Sequence, residues 1–230
     1  MAFTTTFEVQ VAHEDVALDG TLSIPSVVRG VVLFAHGSGS GRFSPRNRFV
    51  AARLHHGGFA TLLLDLLTPR EEQVDERTRQ HRFDIDLLAA RLVSAARWLD
   101  DELALPRGSL GLFGASTGAA AALIAATEEP ALVGAVVSRG GRPDLAGEVL
   151  PLVQAPTLLV VGGDDEPVLR LNQAALEQLG GEKELRIVPG ASHLFQEPGT
   201  LEVAAELARQ WFEAHLGARI MADEPRAPGP

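Results

Sequence analysis

The sequence predicts an α/β fold in which helices cover both faces of a mostly parallel sheet. Short apolar runs alternate with longer amphipathic stretches along the chain. The middle runs, such as VVLFA and TLLVV, are apolar throughout, as strands require when helices cover both of their faces. The chain has 230 residues with no internal repeat and no linker. One domain over residues 1–216 is therefore predicted, with residues 217–230 as a flexible C-terminal tail.

Eight strands are predicted from the apolar runs. The first two alternate between apolar and polar residues and carry the turn residues Asp19 and Gly20. This pattern indicates an antiparallel hairpin at one edge of the sheet. The predicted strands are residues 7–11, 18–24, 31–35, 60–64, 109–113, 135–138, 157–161 and 184–188.

Helices are predicted in the gaps between the strands. The first follows Ser44, a favourable cap, and stops at Gly57 and Gly58. The strongly charged segment 68–82 is expected to be a solvated loop and helix face. The predicted helices are residues 45–56, 83–102, 117–128, 168–179 and 201–216, with a further short helix from Pro143.

Composition and charge exclude several classes of function. Thirty acidic residues against 20 basic ones give a net charge of −10, so no nucleic-acid partner is expected. The absence of cysteine excludes disulfides, thiolate metal sites and a cysteine nucleophile. No apolar run approaches the roughly 20 residues of a membrane span, and the start of the chain does not resemble a secretory signal. The prediction is a cytoplasmic location without a membrane partner.

A candidate nucleophile lies in the segment Gly114-Ala115-Ser116-Thr117-Gly118, which matches G-x-S-x-G. The segment follows a predicted strand and opens an alanine-rich helix. This is the setting in which a sharp turn exposes a serine at the start of a helix. The alternative is that Ser116 merely caps the helix, with glycines that allow close packing.

A candidate base and an orienting acid follow later strands. His193 lies in a turn after the last predicted strand, and Asp164 and Asp165 follow the strand before it. Because the carboxyl ends of parallel strands share one edge of the sheet, these groups should lie near Ser116. The order serine, aspartate, histidine along the chain is one in which such triads occur.

Two backbone N–H groups are candidates for stabilising an oxyanion. Thr117 lies at the start of the helix, where its N–H is free to donate. Ser38 lies in the glycine-rich loop HGSGSG after the third predicted strand, and it is the expected second donor. His36 opens this loop and is interpreted as a brace for it.

No cofactor and no metal site is predicted. The glycines after the third strand imitate a dinucleotide loop, but Arg42 stands where the third glycine of that fingerprint is required. Asp65, at the end of the next strand, is therefore interpreted as an acceptor for loop N–H groups. The adjacent histidines His55 and His56 point to different sides of a helix, which disfavours a shared metal ion.

The motifs HGSGSG, GASTG, GGDDEPV and PGASH together resemble the α/β-hydrolase superfamily, in particular its dienelactone hydrolase-like branch. The resemblance covers about residues 5–216 and implies an eight-stranded, mostly parallel sheet and hydrolysis through an acyl-enzyme. It also implies that Asp165, three residues before Val168, is the triad acid, with Asp164 as the alternative. Only 16 residues separate Ser138 from Ala155, so no lid domain is expected.

This chain departs from dienelactone hydrolases at the nucleophile, because they use cysteine where it has Ser116. The departure favours a serine hydrolase that cleaves carboxylic esters of small or soluble substrates. The alternatives are a dienelactone hydrolase-like lactone hydrolase and a non-catalytic binding protein with the same fold. The sequence does not predict an oligomeric state.

Several arginines follow strands whose ends should border the site. We expect Arg42, Arg46 and Arg139 to bind substrate and to favour an ester that carries a carboxylate or phosphate. The alternative is ordinary pairing of arginines with acidic residues, for which Asp144 and Glu71 are candidates.

Overall fold

The structure, a computed structural model, describes residues 4–216 and contains one eight-stranded sheet in the order β1-β2-β4-β3-β5-β6-β7-β8. The pairs β1–β2 and β2–β4 are antiparallel, and the remaining neighbours are parallel. This is the α/β-hydrolase fold that the sequence predicts. The strands are β1 Thr4–His13, β2 Val16–Pro25, β3 Gly30–Ala35, β4 Phe59–Leu64, β5 Leu110–Ala115, β6 Val133–Arg139, β7 Thr157–Gly162 and β8 Lys183–Val188.

Helices lie on both faces of this sheet. They are α1 Pro45–His56, α2 Pro69–Thr78, α3 Ile85–Leu103, α4 Thr117–Glu128, α5 Glu166–Gln178 and α6 Thr200–His215. Successive strand residues serve opposite faces: Leu33 packs in the core beneath α3 and α4, whereas Phe34 packs in the core beneath α1 and α6. The all-apolar strands of the sequence follow from this arrangement, because both faces of the sheet are buried.

The N-terminal hairpin is present, but its turn differs from the predicted one. The turn lies at Glu14 and Asp15, where Glu14 has a positive φ of 48°. Asp19 and Gly20 lie inside β2 instead. A Cβ on Gly20 would lie 2.9 Å from Leu62 Cδ1, so glycine here allows close packing against β4 and does not form the turn.

The charged segment 68–82 is mostly an exposed loop and helix face, as predicted: it contains α2, and Asp75 is its one buried residue. Thr68 and Glu71 form a capping box that starts the helix. Asp75 is buried and accepts hydrogen bonds from the backbone N–H groups of His81 and Arg82. Its carboxylate also pairs with the Arg82 guanidinium, so the buried charge of Asp75 is balanced inside the segment.

No lid is inserted between β6 and β7. The short helix predicted from Pro143 is a 3₁₀ segment, Pro143–Leu152, interrupted at Gly147 where φ is 54°. Within residues 4–216, no helix has both the length and the apolar character needed to cross a membrane. The predicted tail, residues 217–230, lies outside the described residues.

Candidate active site

The carboxyl ends of the central parallel strands form one edge of the sheet, and the candidate residues lie there. Ser116 directly follows β5, and Asp165 follows β7 and precedes α5. His193 lies in the loop between β8 and α6. The parallel pairing of β5 to β8 therefore brings together groups that are far apart in the sequence.

Ser116 has a backbone conformation that few non-glycine residues adopt, with φ 52° and ψ −123°. Its flanking glycines make this turn possible. A Cβ on Gly114 would lie 2.4 Å from Ala119 Cα, and one on Gly118 would lie 2.3 Å from the Ala35 carbonyl oxygen. The Ser116 side chain makes no capping hydrogen bond to α4. This geometry fits an exposed nucleophile better than a helix cap.

His193 contacts Asp165 rather than Asp164. The distance between His193 Nδ1 and Asp165 Oδ2 is 2.7 Å, and the two side chains are 38% and 11% exposed. Asp165 occupies the cap position of α5 but makes no capping hydrogen bond, so its carboxylate faces the histidine. With Nδ1–H donating to Asp165, Nε2 keeps its lone pair for a proton from a nucleophile.

Glu197 supports the histidine loop and was missed by the sequence analysis. Its carboxylate accepts a hydrogen bond of 3.0 Å from the backbone N–H of Ser192. Hydrogen bonding with the side chain and then the backbone of Ser192 lowers the pKa of Glu197. The contact ties down the residue next to His193. No motif predicts it, because a carboxylate five positions after Ser192 has no signature of its own.

The glycine-rich loop after β3 lies against the serine turn. A Cβ on Gly37 would lie 2.9 Å from Ser116 Cβ, and the Ser38 and Thr117 hydroxyls are 3.1 Å apart. Ser38 Oγ also donates a long hydrogen bond of 3.4 Å to the Arg82 carbonyl. Within residues 4–216, no backbone carbonyl accepts a hydrogen bond from the N–H of Ser38 or Thr117. Both groups are thus free to donate to a ligand.

His36 is a neutral brace for this loop, as the sequence predicts. Its Nε2 accepts the Leu66 backbone N–H at 2.9 Å, so the ring proton is on Nδ1 and is donated to the Gly37 carbonyl. Burial lowers the pKa of His36 and outweighs the opposing influence of the Gly37 hydrogen bond and of Asp65. A neutral imidazole with both nitrogens occupied is structural.

Two cavities open on this rim, and the loop after β3 borders both. The smaller one, here called the nucleophile cavity, has a volume of about 230 Å³ and is lined by Ser116, His193, Arg46 and Arg139 among others. The larger one, here called the outer cavity, has a volume of about 750 Å³ and a strongly charged lining that includes Arg42. The nucleophile cavity is smaller than typical drug-sized pockets of about 300–1,000 Å³, which favours a small ligand.

The three candidate substrate-binding arginines differ in their partners. Arg42 pairs with Asp65, which also accepts the Arg42 backbone N–H at 2.5 Å. Asp65 is thus the acceptor for loop N–H groups that the sequence predicts. Within the described part of the chain, Arg46 and Arg139 have no carboxylate partner. The Nε atoms of all three arginines are buried without a hydrogen bond, so the carboxylate partner is what distinguishes Arg42.

Arg139 is the more deeply buried of the two, with 6% of its surface exposed. Burial, with a further contribution from Arg46, lowers the pKa of Arg139 to about 10, so the guanidinium is still charged at neutral pH. Of the two acidic candidates, Asp144 pairs with Arg142, whereas Glu71 pairs with Arg91 of α3 rather than with an arginine of the rim.

Within residues 4–216, no group of three or more histidines or carboxylates could hold a metal ion. What the site does contain is a serine in a strained turn, a histidine bonded to a carboxylate, two free N–H groups and two unpaired guanidinium groups. Such an arrangement suits nucleophilic attack on a carbonyl.

Comparison with known proteins agrees with the geometry. Residues 18–216 match the dienelactone hydrolase family. A dienelactone hydrolase structure from Anabaena variabilis is 57% identical, with a TM-score of 0.89, and the alignment covers 93% of this chain and 99% of that one. A dienelactone hydrolase-like promiscuous phosphotriesterase from metagenomic libraries is 17% identical, with a TM-score of 0.76 over 93% of this chain and 99% of that chain, and shares the fold.

Two curated proteins from Mycobacterium tuberculosis strains, each named "putative phosphoribosyl transferase", are 57% identical over 212 residues. The matched region is 91% of this chain but only 46% of each relative. The chain thus spans about half the length of these curated relatives.

Proposed function

The chain belongs to the dienelactone hydrolase family, and from this premise we propose that it is a serine hydrolase. The proposed reaction is cleavage of carboxylic esters of small molecules through an acyl-enzyme on Ser116. Family membership supports hydrolase activity and a small-molecule substrate.

The observation that carries the proposal is the contact between His193 and Asp165 at the edge of the nucleophile cavity. The 2.7 Å hydrogen bond fixes the imidazole in the tautomer that a general base needs. His193 and Ser116 line the same small cavity. A strained serine turn is costly to maintain, and its use here is to expose the hydroxyl to a substrate.

The mechanism follows from these positions. His193 Nε2 takes the proton of Ser116 Oγ as the oxygen attacks the ester carbonyl, and Asp165 stabilises the imidazolium. The N–H groups of Ser38 and Thr117 donate to the developing oxyanion. His193 then protonates the leaving alcohol, and a water deprotonated by His193 releases the acid. Each N–H is expected to contribute roughly 10²–10³-fold in rate.

Lactone hydrolysis is the second candidate, because the Anabaena relative is named a dienelactone hydrolase and a lactone is a cyclic ester. The chemistry on Ser116 is the same for both substrates. The third candidate, a binding protein without activity, is disfavoured because each position of the triad holds a competent residue. The transferase name of the M. tuberculosis relatives is not carried over, because the half they share with this chain is the part that matches the hydrolase family.

The test is labelling by a fluorophosphonate probe together with turnover of p-nitrophenyl acetate. Ser116→Ala should abolish labelling and reduce kcat/KM by about 10⁴-fold or more. The matched control is Ser26→Ala: Ser26 is exposed and follows β2, whose end lies at the opposite edge of the sheet. Labelling that persists in Ser116→Ala would contradict the proposal. A folded wild-type protein that neither labels nor turns over esters would favour the binding-protein alternative.

A further inference from the structure

We propose that two copies of this chain pair along β8 to form a symmetric dimer, in which the two eight-stranded sheets join into one. β8 is an edge strand, because its only neighbour among residues 4–216 is β7. An edge strand presents a row of unpaired N–H and C=O groups, which can pair with another strand. The second copy is the partner that fits this edge, because β8 is complementary to itself in one register. This inference is independent of the proposed hydrolase function.

The hydrogen bonds between β7 and β8 determine which backbone groups of β8 are free. The carbonyls of Glu182, just before β8, and Val188, its last residue, accept hydrogen bonds of 2.8 Å from the β7 side. The pairing of the two strands between these points has no register shift. Because the backbone groups of successive residues point to opposite edges of a strand, the even-numbered residues of β8 face β7. The N–H and carbonyl groups of Lys183, Leu185 and Ile187 therefore point outward.

The free backbone groups and the charges together select one register. A two-fold axis relates the copies of a symmetric dimer, so the paired strands run antiparallel. Outward-facing residues must then lie opposite each other, because each such pair exchanges two hydrogen bonds, and the axis passes through a residue of β8. An axis through Glu184 or through Arg186 would place that side chain against its own copy, and like charges directly opposite are destabilising. An axis nearer either end would pair at most half of the strand. The axis through Leu185 avoids both problems.

In the Leu185-centred register, each Glu184 lies opposite Arg186 of the second copy. These are non-hydrogen-bonded positions, where the Cα atoms are about 4.5 Å apart and the side chains are closest. The two side chains are 37% and 55% exposed, so both are free to reach across. Within one chain they already pair at 2.5 Å, and the dimer would join the two pairs into one network of four charges. Opposite charges at facing positions stabilise the pairing of strands.

The side chains on the other face of β8 are also matched in this register. Ile187 is 47% exposed, and it would lie opposite Lys183 of the second copy. The ammonium group of Lys183 donates to the carbonyls of Glu177 and Leu179 near the end of α5. Its hydrocarbon part is thus left to cover Ile187. Leu185 would meet its own copy on the axis, so pairing would remove apolar surface from water.

Charge does not prevent this pairing. Charged residues on an edge strand commonly block association with another strand. In the Leu185-centred register, however, none of the three charged residues of β8 faces a like charge. Each copy has a net charge of −10, but the repulsion between exposed charges is largely screened beyond about 8 Å at physiological ionic strength.

The test measures the mass of the full chain by sedimentation velocity, between about 1 and 100 µM protein and at about 0.15 M salt. Wild type is expected to be a dimer at the highest concentration. Glu184→Arg and Arg186→Glu each place like charges across the interface and should raise the Kd of the dimer about 10-fold or more. An equimolar mixture of the two variants restores opposite charges at both positions and should recover the dimer as a heterodimer.

The matched control is Glu8→Arg, which makes the same change of charge on β1, the strand at the other edge of the sheet. The Glu8 side chain is 65% exposed, and its variant should dimerise like wild type. Circular dichroism checks that each variant is folded. Amide hydrogen exchange locates the contact: the N–H groups of Leu185 and Ile187 should exchange more slowly in wild type than in Glu184→Arg.

Three results would overturn the proposal. The first is a wild type that is still monomeric at about 100 µM. The second is a dimer that persists in both single variants or dissociates in Glu8→Arg, because another surface would then form it. The third is a pair of folded variants that dissociate separately and do not associate when mixed. None of these measurements depends on ester turnover, so the dimer and the hydrolase can fail separately.

Discussion

The arginines near the loop after β3 fall into two groups, those that form an ion pair with a carboxylate and those that do not. Three of these arginines, near the outer cavity and α2, have carboxylate partners: Arg42 pairs with Asp65, Arg82 with Asp75 and Arg91 with Glu71. Arg139, in the nucleophile cavity, and Arg46, which lines both cavities, have no such partners among the described residues. Paired arginines hold segments of the fold together, whereas unpaired buried ones are costly unless a ligand completes them.

The ion-paired arginines have a structural role, and they lie close to the candidate active site. Arg91 is almost completely buried, and it fastens α3 to the start of α2 through Glu71 and to the Leu66 carbonyl. Through Arg82, whose carbonyl accepts from Ser38, the same paired region reaches the loop that should bind the oxyanion. The ion-paired arginines thus stabilise the part of the fold beside the site, whereas Arg46 and Arg139 remain able to contact a ligand.

The largest effect on activity is expected for a substitution of Asp165, which contacts the candidate base His193. Asp165→Asn should lower kcat for p-nitrophenyl acetate by about 10⁴-fold, because the amide no longer holds His193 in the right tautomer. Asp164→Asn is the matched control: Asp164 is exposed and adjacent, and its variant should stay within a few-fold of wild type. Equal losses in both variants, measured on folded protein, would refute the assignment of Asp165.

A substitution in the ion pair between Arg91 and Glu71 should change the stability of the protein. Glu71→Gln leaves the guanidinium of Arg91 buried without its charge partner and should lower the free energy of unfolding by about 2–4 kcal/mol. The measurement is urea unfolding at pH 7. Glu72→Gln, the next residue along α2, is the control and should change stability by less than about 0.5 kcal/mol.

The difference in the free energy of unfolding between wild type and Glu71→Gln should depend on pH, which tests the role of the ion pair independently. Partial burial opposes it, but hydrogen bonds from Arg91 and Thr68 lower the pKa of Glu71 from 4.5 to about 2. The folded state thus favours the ionised carboxylate, and its contribution is present above pH 4.5 and lost as the pH falls through about 2. The stability gap between wild type and Glu71→Gln should narrow over this window. A gap that stays constant would show that the pair is not its source.

A smaller effect on stability than that of Glu71→Gln is expected for Arg139→Gln. Removing an unpaired buried cation relieves its repulsion with Arg46 but gives up the Phe195 contact, so the free energy of unfolding should stay within about 1 kcal/mol of wild type. If Arg139→Gln lowered the free energy of unfolding, measured with urea, by more than about 3 kcal/mol, Arg139 would have a structural role like that of the ion-paired arginines.

Local sequence patterns predicted most of the fold. The bounds of α1 and α4 agree with their predicted ranges, because caps, glycine stops and apolar runs act over a few residues. The placement of Ser116 between a strand and a helix was equally readable, since the turn is made by its own flanking glycines. The hairpin was recognised for the same reason, although Asp19 and Gly20 are not its turn.

The segment 68–82 was harder to interpret from sequence. Its charges predicted solvent exposure, which most of its residues have, but Asp75 is buried because Arg82 and two backbone N–H groups surround it. Composition alone cannot show such a network, since each partner is an ordinary surface residue type. The cap of α2 by Thr68 and Glu71 was nevertheless encoded locally.

The sequence by itself determined the α/β architecture, the serine turn and the order of the candidate triad, because these depend on neighbours along the chain. Only the tertiary structure decided that His193 faces Asp165 rather than Asp164, and which arginines keep an unbalanced charge. Those outcomes depend on distances between residues that are remote in sequence, such as Arg42 and Asp65, which are 23 positions apart. Electrostatic pairing acts through space, and folding alone brings the partners together.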